Sequence, residues 1–395
     1  MSRYRLVLSP AQEAVLREHC AHARFVWNLC VEQEAGWRPG RGKTPRFAER
    51  CRQLSEARTD NPWLAAGSVI VQQQAIRDHD HAMSRFFAGT HRRPSWRKGG
   101  RDEGFRIVAV KPGDVRRLSR KLAEVRVPKA GWVRFRLSRP VPEGVKSFRV
   151  TRDRAGRWHV AFAAIPDPVL APGNGEVAGV DRGVTVSAAL STGEMLSVPR
   201  LSPGRQARLV RLQPKLDRPR KGSKRRGQVK TAIARLKVRE ADARKDWCEK
   251  VSTGLARRFD VIRVEDLNIR NMTRSAKGTA GEPGRNVRQK AGLNREIAAS
   301  GWGPLVRRLE QKAPGRVEKV NPAYTSQRCS ACGHVDGKSR ESQADFRCTA
   351  CGYAANADVN AAINIAAGHA VTARGGSGLP GPVNREPQPD LLPAA

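Results

Sequence analysis

Tyrosine is almost absent from this chain: Tyr4, Tyr324 and Tyr353 are the only three in 395 residues. None has the setting of a recombinase nucleophile with a metal-binding histidine pair, which argues against strand joining through tyrosine. No run of about 18 apolar residues occurs, so no membrane span is expected. The start, Met1-Ser2-Arg3-Tyr4-Arg5, leads into no apolar signal core, and the expected location is the cytoplasm. Acid is in short supply, with 37 Asp and Glu against 74 Lys and Arg, a formal net charge of +37. Lysine is scarce among the bases, 18 of 74. A GC-rich coding bias explains arginine over lysine but not two bases for every acid. Such an excess repels itself unless a polyanion neutralises it, and nucleic acid is the default partner. A membrane surface is the weaker alternative. Hydrophobic residues are not scarce: 39% of the chain, with 36 glycines, is an ordinary globular share that excludes disorder of the whole. At about 150 residues per domain, the length predicts two to three domains.

Residues 3–8 alternate as a strand does. Ser9-Pro10-Ala11-Gln12 then spells a capping box, and Val15, Leu16, His19, Ala23, Val26, Trp27 and Cys30 follow at helical spacing. The pattern predicts a helix of about 25 residues, ended by Gly36, Pro39, Gly40 and Gly42. A second helix is expected over 65–87 and a basic loop over 91–104. From 105 to 165 the period is two, giving strands at 105–108, 125–127, 133–137 and 158–162. A Pro/Gly-rich linker at 166–175 marks a domain boundary. Beyond it, the apolar strand 177–186 is interrupted by Asp181, and 261–267 is a strand ending in acids. Between them, 201–250 carries 17 Lys and Arg against 5 Asp and Glu and predicts one or two basic helices, kinked by Pro214. Residues 272–293 are expected to be a mobile loop, 300–313 and 358–370 helical, and 371–395 a disordered tail.

Eight cysteines are present. Cys20, Cys30, Cys51 and Cys248 are scattered through predicted helices as small core residues. Cys329-x2-Cys332-x15-Cys348-x2-Cys351 has four-cysteine zinc spacing, with Gly333 and Gly352 just past each pair to let the backbone turn. Four thiolates close a tetrahedral shell, so this ion would be structural and unable to activate water. A redox dithiol pair and an iron–sulfur cluster are the competing readings.

Three carboxylates stand in unusual company. Asp181 interrupts an apolar strand, Glu265 ends another, and Asp358 opens a helix carrying Ala361, Ala362, Ile363 and Ile365. Singly, each is a strand-end or N-cap residue. Together, on a polycation, they fit a two-metal phosphodiester site, since buried carboxylates are costly unless paired or metal-bound.

Four stretches then carry a resemblance. They are Gly179-Val180-Asp181-Arg182-Gly183, Val264-Glu265-Asp266-Leu267-Asn268, Thr325-Ser326-Gln327 with Cys329 and Cys332, and Asp358-Val359-Asn360-Ala361-Ala362 with Asn364-Ile365. In order, spacing and flanks they resemble the TnpB (OrfB) family of insertion-sequence-encoded, RNA-guided nucleases related to type V CRISPR effectors. Arg24-Phe25-Val26-Trp27-Asn28 resembles that family's start, and the likeness covers about residues 3–367. Arg182 departs from it, standing where many relatives have a small or apolar residue.

The resemblance implies an α/β and α+β multidomain chain. Residues 1–9 and 101–170 would form a wedge-like β-barrel, with a helical recognition domain at 10–100. Residues 176–320 and 355–370 would form a RuvC-like, RNase H-type nuclease domain, with a zinc ribbon inserted at 321–354. It makes Asp181, Glu265 and Asp358 the catalytic, magnesium-binding acids, with two Mg²⁺ (or Mn²⁺) expected and one structural Zn²⁺ on Cys329, Cys332, Cys348 and Cys351. The implied partners are a guide RNA from the element's end and double-stranded target DNA beside a short recognised motif, in a monomer associated with the bacterial nucleoid. Lys221, Lys224, Arg225 and Arg226 are candidate phosphate contacts. Ser68, Gln72 and Gln73 are candidate base readers, since glutamine can pair bidentately with adenine; exposed polar groups on a helix are the plainer reading. No zinc-finger or helix-turn-helix reader of a long site is recognisable. The alternatives in other classes are a guided binder without catalysis and a transposase accessory protein.

Overall fold

The computed structural model describes residues 2–36, 44–100, 103–164 and 167–368. The tail expected to be disordered, 371–395, lies outside the described residues. The chain divides into two compact units, Met1–Pro166 with Arg208–Val238, and Asp167–Ala207 with Arg239–Ala395. The basic stretch Arg208–Val238 thus groups with the N-terminal unit.

In the first unit, strand β1 (Ser2–Val7) runs into helix α1 (Pro10–Ala35). The capping box is as the sequence spells it: the Gln12 amide donates to Ser9 Oγ and the Ser9 amide to Gln12 Oε1, both at 3.2 Å. Helices α2 (Phe47–Asp60), α3 (Pro62–Ala66) and α4 (Val69–Phe87) follow. The single helix expected over 65–87 is interrupted at Gly67-Ser68, where Gly67 is extended and a β-carbon would strike the Gln72 and His22 side chains. Helix α2 is not legible in the sequence because only Arg50 and Leu54 of it are buried, too few for an apolar stripe.

Strands β2 (Gly104–Val108), β3 (Val115–Arg117), β4 (Leu122–Val127), β5 (Gly131–Arg136), β6 (Ser147–Arg152) and β7 (Trp158–Ala163) join β1 in a seven-stranded sheet, order β2-β6-β7-β1-β5-β4-β3. Strand β1 is shared between two ladders. Its first residues pair with β7 and its last two with β5, so the sheet coils about it. Tyr4, Phe135, Phe148 and Phe162 meet on the inner face with ring centroids 5.2–6.0 Å apart. The Tyr4 hydroxyl escapes burial without a partner by donating to the Pro140 carbonyl at 2.7 Å.

The second unit is built on strands β8 (Val177–Asp181), β9 (Ala188–Leu190) and β10 (Met195–Leu196). Basic helices α5 (Pro203–Leu212), α6 (Pro214–Asp217) and the long α7 (Lys224–Arg258) follow in the chain, with Pro214 opening α6 as a separate turn; α6, the end of α5 and the first part of α7 lie in Arg208–Val238 and so group with the first unit. Then come β11 (Val261–Glu265), α8 (Ile269–Met272), α9 (Val287–Ser300), α10 (Trp302–Lys312), β12 (Val317–Val320), the hairpin β13 (Asp345–Arg347) and β14 (Ala354–Asn356), and α11 (Ala357–Ala367). The main sheet runs β10-β9-β8-β11-β12, with β8, β11 and β12 parallel and the β9 and β10 ladders antiparallel. The loop expected over 272–293 is cut short by α9. Its Lys290 Nζ and Asn294 Nδ2 donate to the carbonyls of Met272 and Thr273 at 2.8 and 3.0 Å, tying the stretch back onto the helix.

Candidate active site and cysteine cluster

Strand alternation decides which face each acid takes. In β8, Ala178 and Val180 point into the core with Trp247, Leu255 and Phe259 of the α7 region and Leu305 and Leu309 of α10. Gly179 and Asp181 therefore face the other way. In β11, Ile262 and Val264 join the same core, so Arg263 and Glu265 share the face of Asp181. Helix α11 lies on that face: a β-carbon on Gly179 would overlap the Ala362 carbonyl and the Ala366 amide. Arg263 Nη1 donates to the Ala366 carbonyl at 2.5 Å, capping the far end of α11. The register pairs Val180 with Val264, so Asp181 and Glu265 leave neighbouring parallel strands at the same level. Asp358 comes from the first turn of α11, where the Asn356 side chain accepts from the amides of Asp358 and Val359 at 3.0 and 3.2 Å.

The surroundings hold these acids in place. The Thr325 hydroxyl donates to Glu265 Oε1 at 2.9 Å. Arg340 Nη2 lies 3.3 Å from Asp358 Oδ1. Arg182 is buried, and its Nη2 donates to the backbone carbonyl of Glu265. Asn360 and Asn364, on one side of α11, both donate to the Arg328 carbonyl, at 2.8 and 2.7 Å, and Asn360 also accepts from the Ser330 amide at 2.9 Å. They fasten α11 to the segment that enters the cysteine cluster. None of these supporting roles is legible in the sequence; only two buried asparagines four apart on an otherwise apolar helix hint at them.

Burial, and then the charges of Glu265 and Asp358, push Asp181 up to about 8. Burial also raises Asp358, with Arg340 pulling the other way. Asp181 thus lies close enough to Glu265 and Asp358 to be repelled by both, the condition a bound cation relieves. They are not packed as tightly as the cysteines, which among the described residues are the one group of three or more such ligand atoms all within 4.8 Å of one another.

In the cysteine cluster, two matching turns present the thiols. The Cys329 amide donates to His334 O at 2.8 Å and Gly333 N to Cys329 O at 2.9 Å; Cys348 N donates to Tyr353 O at 2.8 Å and Gly352 N to Cys348 O at 3.0 Å. Gly333 and Gly352 take φ of 76° and 73°, where a side chain would be strained. Sγ separations are 3.8 Å for Cys329 and Cys351 and 3.6 Å for Cys332 and Cys348. A tetrahedron with metal–sulfur bonds of about 2.3 Å has edges of about 3.8 Å, so the donors fit a zinc-sized ion. The backbone N–H groups of Cys351 and Ala350 lower the Cys348 thiol to about 6, toward the thiolate a metal needs.

The proposed nucleic-acid contacts divide. Lys221, Lys224 and Arg225 are exposed, and Arg225 shares a small cleft of about 270 Å³ with Lys215 and Arg218. Arg226 differs: its guanidinium donates to the carbonyls of Leu216 and Pro219, so it closes a turn. The base-reading role for Gln72 is overturned. Gln72 is fully buried, its Nε2 donating to Leu64 O at 2.9 Å and its Oε1 accepting from Arg58 at 2.6 Å, which leaves no amide edge for a base. Ser68 is buried before α4, and Gln73 is half-buried.

Three family models match the chain: "Helix-turn-helix domain" over residues 2–43, "Probable transposase" over 162–276 and "Cas12f1-like, TNB domain" over 302–365. The described part of 2–43 holds a strand and one helix, β1 and α1. A relative from Escherichia coli (strain K12), named as an RNA-guided DNA endonuclease, InsQ, is 36% identical over 386 residues, covering 95% of this chain and 94% of the relative. One from Streptomyces pristinaespiralis, also named as an RNA-guided DNA endonuclease, is 30% identical over 382 residues, 94% and 90% of the two chains. Among solved structures, a cryo-EM structure of a Cas12f1-sgRNA-target DNA complex matches 90% of this chain and 82% of that one, with a TM-score of 0.55 at 14% identity, a likeness of fold. Identity of this degree along nearly the whole of both chains settles the lineage: the chain belongs to the TnpB (OrfB) family of insertion-sequence-encoded RNA-guided DNA endonucleases.

Proposed function

We propose that the chain is a transposon-associated, RNA-guided DNA endonuclease, which binds a guide RNA from its element's end, recognises a short motif beside the target and hydrolyses double-stranded DNA. The observation that carries the reading is the gathering of Asp181, Glu265 and Asp358 on one face of the five-stranded sheet. In this reading that sheet with its helices is the RuvC-like, RNase H-type domain (176–320 and 355–370), and residues 321–354 are the inserted zinc ribbon. The coiled seven-stranded sheet belongs to the wedge-like barrel (1–9 and 101–170), and 10–100 is the recognition domain. The protein works as a monomer.

Asp181, Glu265 and Asp358 would hold two Mg²⁺ ions, which when bound supply an activated water and charge for the leaving oxygen. The chain's part is to place the donors. The Thr325 hydroxyl fixes the orientation of the Glu265 carboxylate by donating to one of its oxygens. Asn356 sets the first turn of α11 and so the height of Asp358. Arg340 offsets negative charge beside Asp358 where a phosphate must approach.

The test is site-specific cutting of one target plasmid with Mg²⁺ present. Protein carrying RNA from the neighbouring transposon end is expected to cut, and RNA-free protein to leave the plasmid whole. Equal cutting of the same site by both would replace the guided reading with a self-sufficient nuclease.

Cys329, Cys332, Cys348 and Cys351 hold one structural Zn²⁺ in this account. Cys348→Ser opens the shell, so the zinc content should fall from one per chain to under a tenth. Cleavage should fall with it, because Arg340 sits in the module between Cys332 and Cys348 and touches Asp358. Elemental analysis that found iron, or no metal, in the intact protein would end the zinc assignment.

A further inference from the structure

One end of the N-terminal sheet is left open. Between the β2–β3 connection and the β5–β6 connection lies a cavity of about 780 Å³. Its floor includes Val110, Leu137, Val141 and Val145, half-buried residues that pack on the unit's core. Its rim is cationic: Lys111, Arg116, Arg117, Arg120, Arg139 and Lys146 line it, and no acid does. Arg116 is paired with Glu124 at 2.5 Å and lies over the Trp132 ring; Arg117 and Arg139 donate to the Ser119 and Arg3 carbonyls. Lys111, Arg120 and Lys146 are exposed and have no carboxylate partner among the described residues. Of the acids in the same loops, Asp114 accepts from the Lys111 amide at 2.9 Å and Glu143 is exposed.

An apolar floor under unpaired cations selects a ligand with both an apolar body and an anion. A wholly apolar ligand leaves the cations idle, and a bare phosphate leaves the floor wet. A base pair inside a helix cannot enter, because its faces are covered by stacking. An unpaired nucleotide turned out of its strand meets both demands, and the volume falls in the usual range of about 300–1,000 Å³ for ligand sites. We propose that this cavity binds an unpaired nucleotide of the guide RNA, with the base on the Leu137–Val145 floor and the phosphates on Lys111, Arg120 and Lys146. The proposal rests on the guided reading above for the identity of its RNA.

The experiment measures binding of full-length protein to RNA transcribed from the neighbouring transposon end, and to single-stranded DNA of the same sequence, across a salt series. Ser138 is exposed on the cavity wall, and Ser138→Trp fills the space without changing charge. It should weaken RNA binding at least tenfold at an unchanged salt slope, with melting temperature preserved. The triple variant Lys111→Gln, Arg120→Gln, Lys146→Gln removes three phosphate contacts. It should lower the log–log salt slope by about 2, at about 0.7 per phosphate for a single strand. Because its three positions are exposed, it also guards against misfolding of the filled variant. Wild-type RNA affinity in either folded variant would overturn the proposal, as would equal weakening for RNA and DNA. If wild-type protein binds the RNA but cuts nothing, the nuclease reading fails while the cavity is still judged by these slopes. If guided cutting succeeds and Ser138→Trp binds RNA normally, only the cavity fails.

Discussion

Alanine at Asp181, Glu265 or Asp358 is expected to cut guided DNA cleavage at least a thousandfold and to leave guide RNA binding within about twofold. In the proposed site each acid supplies a share of the cation binding that the reaction needs. A separate sign distinguishes this from damage to the fold. Burial and like charges hold Asp181 up at about 8, against 3.8 for an ordinary aspartate. A carboxyl whose folded value is raised stabilises the fold below its unfolded value and loses that contribution as pH climbs through the folded one. In chelator, then, stability contributed at this position falls from about pH 4 to pH 8. Asp181→Asn, which mimics the protonated acid, should melt no lower than wild type at pH 8 while failing to cut. A variant that cuts at the wild-type rate would remove its residue from the site. One that loses RNA binding as well would have lost structure instead.

The unusual setting of Asp181 was legible because an apolar strand does not carry an acid without reason. Asp181 stood out against Val177-Ala178-Gly179-Val180, and the same apolar residues that framed it proved to be the core face of β8. The cysteine module was legible from spacing, since two short loops with glycine after each pair admit few other folds. The Ser9–Gln12 box was legible because helix N-termini have local chemistry. What escaped was set by partners distant in sequence. Gln72 looked like an exposed reader, yet Arg58 and Leu64 turn it inward. Strand β12 has two exposed and two half-buried residues, so no alternation announces it; it forms because β11 offers a parallel edge. Arg182 read as a departure from the family pattern, and its burial against the Glu265 carbonyl could come only from the neighbouring strand.

Gly179→Ala should destabilise the second unit by about 3 kcal/mol or more and reduce guided cleavage to under a hundredth, although alanine is tolerated in strands. The new methyl would overlap the Ala362 carbonyl and the Ala366 amide. Both are backbone atoms of α11, so no rotamer change makes room; the helix itself must lift from β8. Asp358 moves with it, as do Asn360 and Asn364, whose hydrogen bonds to Arg328 fix the approach to the cysteine cluster. Gly254→Ala is the matched control. Gly254 lies within α7, and a β-carbon there meets nothing within 4 Å, so the helix should gain about 0.5–1 kcal/mol from the same substitution. Two glycine-to-alanine changes in one unit are therefore expected to shift thermal unfolding in opposite directions. Guided cleavage should be lost only at position 179. If Gly179→Ala melts and cuts as wild type does, α11 is not seated on β8 as described, and the placement of Asp358 beside Asp181 falls with it.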